Sequence, residues 1–270
     1  MKLGLTLPSF RDEPDRALEI AQVAEAAGLD GVFVYDHLFR RARDGSRRPA
    51  LDSLTLLAAV AAETTSIAVG ALVFRATLRP PATLATALDT VHRMAPGRVL
   101  PTIGAGDTES REEMETFGLG FESVADRVAA LVTTVEHTRD RGYPVWVGGT
   151  STIVREVAAE HADGWNRWGG EPEVFAAAVG VIAPTTRRSP FIFSWGGLVV
   201  TAPDDAAARA KAERLGAGPE ALVGGPAALA DALGRYRDAG ADWAITGPVD
   251  SSNVENARLL GEDVRPRLAP

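Results

Sequence analysis

An aspartate–histidine pair, Asp36-His37, stands directly after an apolar run that is typical of a buried strand. An imidazole changes its charge near neutral pH, so a histidine at the end of a strand can take or give a proton during a reaction. The other histidines, His92, His137 and His161, fall within or at the end of predicted helices. The sequence therefore favours His37 as the proton-handling residue, with a loop-anchoring hydrogen bond as the alternative.

Two glycine-containing segments also follow predicted strands. They are Gly104, Ala105, Gly106 and Asp107, and then Gly148, Gly149, Thr150 and Ser151 before a predicted helix. Glycine lets a ligand approach the backbone closely, and free N–H groups at a helix N-terminus attract anions. Asp107 could hold or relay a proton, or it could cap a helix. The second segment could bind a phosphate, or it could be an ordinary turn.

Charge and composition narrow the range of chemistry. Residues 40–48 hold five arginines and one aspartate, a local charge of +4 in a chain whose net charge is −8. This loop is either a solvated loop or a gate that attracts an anionic ligand. The chain has no cysteine, which excludes thiol nucleophiles and Cys-ligated metals. Asp36, His37 and Asp107 are too few strand-end ligands to favour a metallohydrolase.

The elements that must position these residues alternate between strand and helix patterns along the whole chain. Eight short apolar strands are predicted, as expected of a parallel sheet that is buried on both faces. In an α/β (β/α)8 TIM barrel, the loops after the strands build the site. We predict one such domain over residues 1–270. An open doubly wound sheet is the rival, but the turn after the first strand, residues 8–11, lacks its glycines.

Three similar segments, residues 27–31, 162–165 and 239–243, each end a helix and enter a strand. Each contains an aspartate next to glycine or tryptophan, in a Gly/Ala-rich context. In a barrel, all three would lie at the end opposite the site, where such residues contribute to stability rather than to chemistry.

A series of motifs resembles the bacterial luciferase-like monooxygenase superfamily, and in particular its branch that depends on the deazaflavin coenzyme F-420. In order, the motifs are Gly4-Leu5-Thr6-Leu7-Pro8, Tyr35-Asp36-His37-Leu38, residues 51–64, Arg79-Pro80-Pro81, Ile103-Gly104-Ala105-Gly106, and residues 144–149 and 162–166. The resemblance implies hydride transfer between the coenzyme and a small organic substrate, with Asp36-His37 beside the reactive ring. It also implies a phosphate-binding turn at Gly148-Gly149. Asp107 takes the place of a proton-donating glutamate and is one methylene shorter.

We therefore expect His37 and Asp107 to be catalytic, and the cofactor to bind where neighbouring strands end. The expected cofactor-binding residues are Asp36, Ala71, Leu72, Val73, Gly104, Ala105, Gly106, Gly148, Gly149, Thr150 and Ser151. One alternative is an FMN-dependent monooxygenase served by a separate flavin reductase. Another is a barrel that binds a ligand without turnover. It is suggested by Pro101 within a strand and by the direct junction at residues 139–142, where family members carry an insertion.

The expected partners are few. The negative net charge argues against nucleic acid, and no apolar run is long enough to cross a membrane. A cytoplasmic location is then expected by default. Apolar residues lie nearly all round the helix that begins near Asp52, which favours a homodimer through this helix and its neighbour, Pro80 to Met94.

Overall fold

Eight parallel strands close into one ring in the computed structural model of the chain, which describes residues 1–10, 14–41 and 45–268. The ring strands are β1 (Lys2–Thr6), β2 (Gly31–Val34), β5 (Ala68–Arg75), β6 (Val99–Gly104), β7 (Trp146–Gly148), β8 (Gly164–Trp168), β9 (Ile192–Thr201) and β11 (Trp243–Pro248). β8 pairs with β9, and β11 pairs with both β9 and β1, which closes the sheet. The predicted (β/α)8 barrel is confirmed, and the open sheet is wrong because the ring has no free edge.

Helices surround the ring and connect its strands. They are α1 (Pro14–Ala26), α2 (Ser53–Glu63), α3 (Pro81–Met94), α4 (Arg111–Thr116), α5 (Val124–Arg139), α6 (Thr152–His161), α7 (Pro172–Ile182), α8 (Asp205–Leu215), α9 (Pro226–Asp238) and α10 (Val254–Arg258). Polar side chains cap several of them; Asp52 accepts from Thr55 N, and Ser123 accepts from Asp126 N. Proline occupies the first turn of α3, α7 and α9, where its missing N–H costs nothing.

Three short elements differ from the predicted pattern. The segment predicted as a polar loop forms an antiparallel hairpin of β3 (Phe39–Arg41) and β4 (Arg47–Pro49), while residues 42–44 lie outside the described residues. β10 (Leu222–Gly224) pairs with β9 outside the ring. α4 follows a 3-10 turn after β6. All three are too short for a periodic sequence pattern to reveal.

Large aromatic side chains fill the middle of the ring. Phe33, Trp146 and Trp243 form one buried cluster with Leu72 and Ile245. Glycines on neighbouring strands make room for these rings, as at Gly31, where a Cβ would lie 2.9 Å from Trp243 Cζ3. The interior is therefore a packed core, and ligand space is restricted to the ends of the barrel.

At the amino-terminal end of the strands, three aspartates make the same pair of hydrogen bonds. The N–H of each aspartate donates to a carbonyl of the neighbouring strand, and its carboxylate accepts the N–H of the same residue. The carboxylate bonds join Asp30 to Leu3 N at 2.8 Å, Asp163 to Val145 N at 3.0 Å and Asp242 to Phe193 N at 2.8 Å. We call these contacts the aspartate brackets. They give a structural role to the three similar segments found in the sequence.

The two departures from the family pattern have local consequences. β6 continues through Pro101, which pairs with Ala71, and the register shifts on the neighbouring strand between Ala71 and Phe74. The Leu72–Val73 peptide within that shift is cis. α5 ends at Arg139 and β7 begins at Trp146, so a short turn joins them.

The helix expected at a dimer interface is largely covered by its own barrel. In α2, Leu56, Leu57, Val60 and Ala61 are buried within the chain, and Leu54, Ala58 and Ala59 are half-buried. Most of the apolar circumference is thus explained without a partner. Among the described residues, no helix has the length and apolarity needed to span a bilayer.

Candidate active site

Asp36 is a buried anchor at the carboxyl-terminal end of β2. Its Oδ1 accepts from Ser53 Oγ at 2.6 Å, and its Oδ2 accepts from the backbone N of Arg75 at 2.9 Å. The Arg79 guanidinium donates to both oxygens, at 2.8 and 3.0 Å. Because Arg75 belongs to β5 and Ser53 to α2, the carboxylate ties the ends of β2 and β5 to α2.

Glu113 on α4 is a second buried carboxylate, and sequence reasoning missed it. It accepts from Arg75 Nη1 at 2.6 Å, from Phe39 N at 3.1 Å and from Leu38 N. Burial by itself raises the pKa of Glu113, but the hydrogen bond from His37 and the charge of Arg75 outweigh it and hold this pKa below its ordinary value. The carboxylate is therefore ionised at neutral pH and joins the loops after β2, β5 and β6.

His37 lies against Glu113, with 3.2 Å between His37 Nδ1 and Glu113 Oε2. An ionised carboxylate only accepts, so Nδ1 carries the hydrogen of this bond. In the neutral ring, Nε2 is then the free acceptor. The side chain is 42% exposed, which leaves the ring partly open to a ligand. This arrangement can take a proton at Nε2 and stabilise the resulting imidazolium.

Val73 forms an apolar shelf at the mouth of the barrel. A Cβ at Gly104 would lie 2.5 Å from Val73 Cγ2, and a Cβ at Gly148 would lie 2.4 Å from Val73 Cγ1. These two glycines therefore admit the valine, and Val73 remains half-exposed above them. Ala71 and Leu72, which were predicted with Val73, are buried, so Val73 is the side chain of the three that faces the mouth.

Trp168 at the end of β8 forms a second apolar surface across the opposite half of the mouth. A Cβ at Gly196 would lie 2.6 Å from its Cε3, and a Cβ at Gly247 would lie 3.0 Å from its Cη2. The indole therefore lies over the ends of β9 and β11. Its ring also meets Tyr35 edge-on, with 6.1 Å between centroids. Trp168 was not among the residues predicted from the sequence, because no motif distinguishes it from a core tryptophan.

Asp107, predicted as a proton donor or a cap, makes the contacts of a cap. Its Oδ1 accepts from Ser110 N and from Ser110 Oγ, both at 3.0 Å, at the start of the 3-10 turn. Of its neighbours in the predicted cofactor site, Ala105 is buried and Gly106 has a φ of 73°, which favours glycine. These contacts give Asp107 a structural role whether or not it also meets a ligand.

The turn from Gly148 to Ser151 leads into an exposed helix N-terminus. Gly149 N donates to Asn166 O at 3.1 Å, so that N–H is already used. Ser151 Oγ caps α6 by accepting from Val154 N. Thr150, Ser151 and the first residue of α6 are exposed, so this end of the helix dipole can face an anion.

Two arginines reinforce the positive end of α6. Arg155 on α6 and Arg167 on β8 are close enough for their charges to interact; burial and the Arg155 charge lower the pKa of Arg167. Arg155 donates to Thr152 Oγ1 at 3.2 Å, while its buried Nε has no hydrogen-bond partner among the described residues. Like charges held together at a helix N-terminus favour an anionic ligand.

The arginine-rich loop is partly neutralised by α4. Arg41 and Arg47 both donate to Glu112, with 2.8 Å from Arg41 Nε and 2.9 Å from Arg47 Nη2. The guanidinium of Arg40 lies 5.6 Å from the centre of the Phe10 ring. Arg43 and Asp44 fall outside the described residues, so the predicted gate remains a prediction. In the part of the chain that the structure describes, no group of acidic, histidine or cysteine side chains could hold a metal ion.

Comparison with known proteins gives the family. Residues 1–236 match the luciferase-like monooxygenases. Among curated relatives, the F420-dependent glucose-6-phosphate dehydrogenase of Nakamurella multipartita is 34% identical over 157 residues, which are 58% of this chain and 44% of that protein. The enzyme of the same name from Beutenbergia cavernae is 39% identical over 154 residues, 57% of this chain and 43% of that protein. The match thus spans less than half of these relatives.

Solved structures share the fold over nearly the whole chain. An F420-dependent secondary alcohol dehydrogenase, in complex with an F420-acetone adduct, superposes with a TM-score of 0.83 at 17% identity and covers 100% of this chain and 99% of that one. The coenzyme F420-dependent tetrahydromethanopterin reductase of Methanopyrus kandleri gives a TM-score of 0.75 at 17% identity, with 99% of each chain covered. At this identity the likeness concerns the fold.

Proposed function

The chain belongs to the luciferase-like monooxygenase family, and we propose that it is an oxidoreductase that binds coenzyme F-420 and transfers a hydride between this deazaflavin and a small organic substrate. The observation that carries the proposal is the His37–Glu113 pair, which leaves His37 Nε2 as a proton acceptor at the mouth of the barrel. The names of the curated relatives and of two solved structures, all F420-dependent, support the choice of coenzyme.

The residues at the mouth fit a flat coenzyme with an anionic tail. The Val73 shelf offers an apolar surface to a ring, with backbone of the strands that end at Gly104 and Gly148 on either side. The exposed N-terminus of α6 lies beside that shelf, and Arg155 supplies a cation with a buried, unpartnered Nε. We propose that the ring rests on Val73 and that a phosphate of the tail meets Thr150, Ser151 and Arg155.

When bound, the coenzyme supplies or accepts the hydride. His37 then handles the proton, taking it at Nε2 from the hydroxyl of an alcohol substrate or returning it in the reverse direction. Glu113 is a positioning residue, because it fixes the Nδ1–H tautomer and stabilises the imidazolium. Asp36 acts further away, by holding the end of the β2 loop through Arg79 and Ser53. Asp107 caps the 3-10 turn, and its predicted role as a proton donor stays a prediction.

The test is a fluorescence titration of the purified protein with coenzyme F-420, and separately with FMN. We expect saturable binding of coenzyme F-420 and weaker binding of FMN. Arg155→Met should weaken coenzyme binding about 10-fold, the loss of one charge-assisted hydrogen bond. The matched control is Arg93→Met, whose side chain is 76% exposed at the far end of α3. Tighter binding of FMN would favour the flavin monooxygenase. If neither coenzyme F-420 nor FMN binds, the proposal is wrong.

We further propose a homodimer through the outer surface of α2, with its half-buried Leu54, Ala58 and Ala59, together with α3. Leu56 belongs to the core, so the test variant is Leu54→Glu with Ala59→Glu. Light scattering should give a dimer mass for the unchanged chain and a monomer mass for the variant. A monomer in both samples would contradict the dimer.

A further inference from the structure

We propose that Trp168, Tyr35 and Phe10 form the substrate subsite, and that this subsite takes an uncharged molecule with a flat apolar body. An aryl or cyclic secondary alcohol, or the matching ketone, is the class that fits. The inference rests on the proposed function for its chemistry, but the observations that support it concern the side chains of this chain.

The indole of Trp168 is held flat by the strands beneath it. Gly196 and Gly247 lie under its ring; a Cβ added at Gly196 would lie 2.6 Å from the nearest ring carbon, and one added at Gly247 would lie 3.0 Å from the ring carbon nearest to it. The indole is nevertheless 38% exposed. A large aromatic side chain that is supported from below and open above is a ready contact surface for an apolar molecule.

An aromatic wall connects this surface to His37. Phe10 stacks on Tyr35 with 5.7 Å between centroids, and Tyr35 meets Trp168 at 6.1 Å. The His37 ring lies 5.6 Å from Phe10 on the other side. The wall thus runs from Trp168 through Tyr35 and Phe10 to His37, and the proposal places the polar end of the substrate at its His37 end. Tyr35 adds no charge: burial raises the pKa of its hydroxyl, which donates to Thr6 Oγ1 at 3.1 Å.

The two largely buried cations near the wall are each paired with a carboxylate, and Arg75 keeps two buried nitrogens, Nε and Nη2, that have no hydrogen-bond partner among the described residues. Arg75 and Arg79 are paired with Glu113 and Asp36 at 2.6 and 2.8 Å, so these buried charges balance. At the rim, the exposed Arg40 guanidinium lies over the Phe10 ring, a contact that leaves its charge in place. A sugar phosphate needs several free donors for its phosphate and hydroxyl groups. The wall instead presents apolar ring surface, although the curated relatives are named for glucose 6-phosphate.

For a secondary alcohol, the atoms and electrons of the proposed oxidation are all accounted for. The carbinol carbon loses a hydride, its hydroxyl loses a proton to His37 Nε2, and a ketone results, with the deazaflavin as the two-electron acceptor. The substrate contributes no charged group to this reaction, which agrees with the uncharged side chains of Trp168, Tyr35 and Phe10.

The experiment measures the affinity of two probes, 1-phenylethanol and glucose 6-phosphate, by saturation-transfer NMR. It uses the protein with and without coenzyme F-420, whose own affinity is measured on the same samples. We expect saturable binding of 1-phenylethanol and none of glucose 6-phosphate. Trp168→Ala should weaken 1-phenylethanol binding about 3- to 10-fold, whereas Trp168→Phe keeps a flat ring and stays near the parent. Val181→Ala, 63% exposed on α7, is the control.

The inference is overturned if 1-phenylethanol does not bind, if glucose 6-phosphate binds as tightly, or if both Trp168 variants leave the affinity unchanged. Circular dichroism checks that Trp168→Ala folds, and Trp168→Phe decides the matter if it does not. Failure of coenzyme F-420 to bind is a separate result. It would remove the proposed function, while binding of 1-phenylethanol to the protein alone would still identify the subsite.

Discussion

The two ends of the barrel use carboxylates in different ways. At the amino-terminal end, Asp242 binds only backbone, by accepting Phe193 N at 2.8 Å, and Glu25 likewise accepts the N–H groups of Ser66 and Ile67, at 2.6 and 2.9 Å. At the carboxyl-terminal end, Asp36 and Glu113 are buried and are balanced by the guanidinium groups of arginines. Asp242 therefore supplies only an oxygen at a given place, whereas Asp36 and Glu113 also supply a charge. The other two aspartate brackets are intermediate, because Asp30 and Asp163 also face Arg265 and Arg139, at 3.0 and 3.5 Å.

This contrast explains why one end of the barrel suits chemistry better than the other. The bracket of Asp242 joins one side chain to its neighbouring strand through backbone contacts alone. A buried ion-pair network connects several loops, and it holds His37 with its Nδ1 on Glu113. Removing one member of such a network leaves a buried charge without its partner. The ion pairs that hold the loops of the site in place therefore also make the site sensitive to substitution.

The largest expected effect comes from removing the charge of Asp36. Asp36→Asn keeps one acceptor oxygen for the two donors, Ser53 Oγ and Arg75 N, and leaves Arg79 with only the exposed Asp52 as its counter-charge. We expect a loss of about 3 kcal/mol in the free energy of unfolding, the lower end of the cost of breaking a buried pair. Urea denaturation followed by circular dichroism measures this change.

The same substitution at the opposite end is the matched control. Asp242 is exposed, and an asparagine at this position would still offer an oxygen to Phe193 N. Asp242→Asn should therefore change stability by no more than about 0.5 kcal/mol. Equal losses for the two variants would refute the distinction between an oxygen and a charge.

The next effect concerns the proton acceptor. His37→Ala should lower turnover by roughly 100-fold, because it removes the group that takes the proton, while coenzyme affinity changes little. Glu113→Gln should give a smaller loss and shift the pH profile of kcat, since the imidazolium loses its ionised partner. Steady-state kinetics across pH measures both. A near-normal rate for His37→Ala would reduce His37 to a loop anchor.

The smallest effect is a pH dependence at the amino-terminal end. Burial raises the pKa of Glu25, but hydrogen bonds from the backbone of Ser66, Ile67 and Thr65 outweigh it and lower the pKa from 4.5 to about 2. Since the folded-state pKa is depressed, this stabilisation is present above pH 4.5 and is lost as the pH falls towards 2. Glu25→Gln should cost about 1 kcal/mol at pH 7, after allowance for solvent screening.

The reference for this variant is the parent chain. The difference in Tm between the parent and Glu25→Gln should shrink as the pH falls from 4.5 to 2, as followed by thermal unfolding. A gap in Tm that stays constant over this interval would mean that the charge of Glu25 contributes nothing, and that shape alone explains the contact.

Much of the scaffold was predictable from local patterns. Short apolar strands, separated by capped helices, predict a parallel sheet that is covered by helices. The eight predicted strands and the lack of glycine at residues 8–11 favour a closed barrel over an open sheet. The repeated aspartates, Asp30, Asp163 and Asp242, were recognised as structural. The position of His37 after β2 followed from the strand pattern alone.

The sequence by itself thus determined the barrel and the position of His37 after β2, and it predicted which end of the barrel carries the site. The tertiary structure decided which partners meet there. Glu113 lies 76 residues from His37 and 38 from Arg75, and Arg79 lies 43 from Asp36. Trp168 meets Gly196 and Gly247 only when β8, β9 and β11 stand side by side. Helix and strand periodicity report contacts within a few residues, whereas these pairings exist only because closure of the ring brings distant loops together.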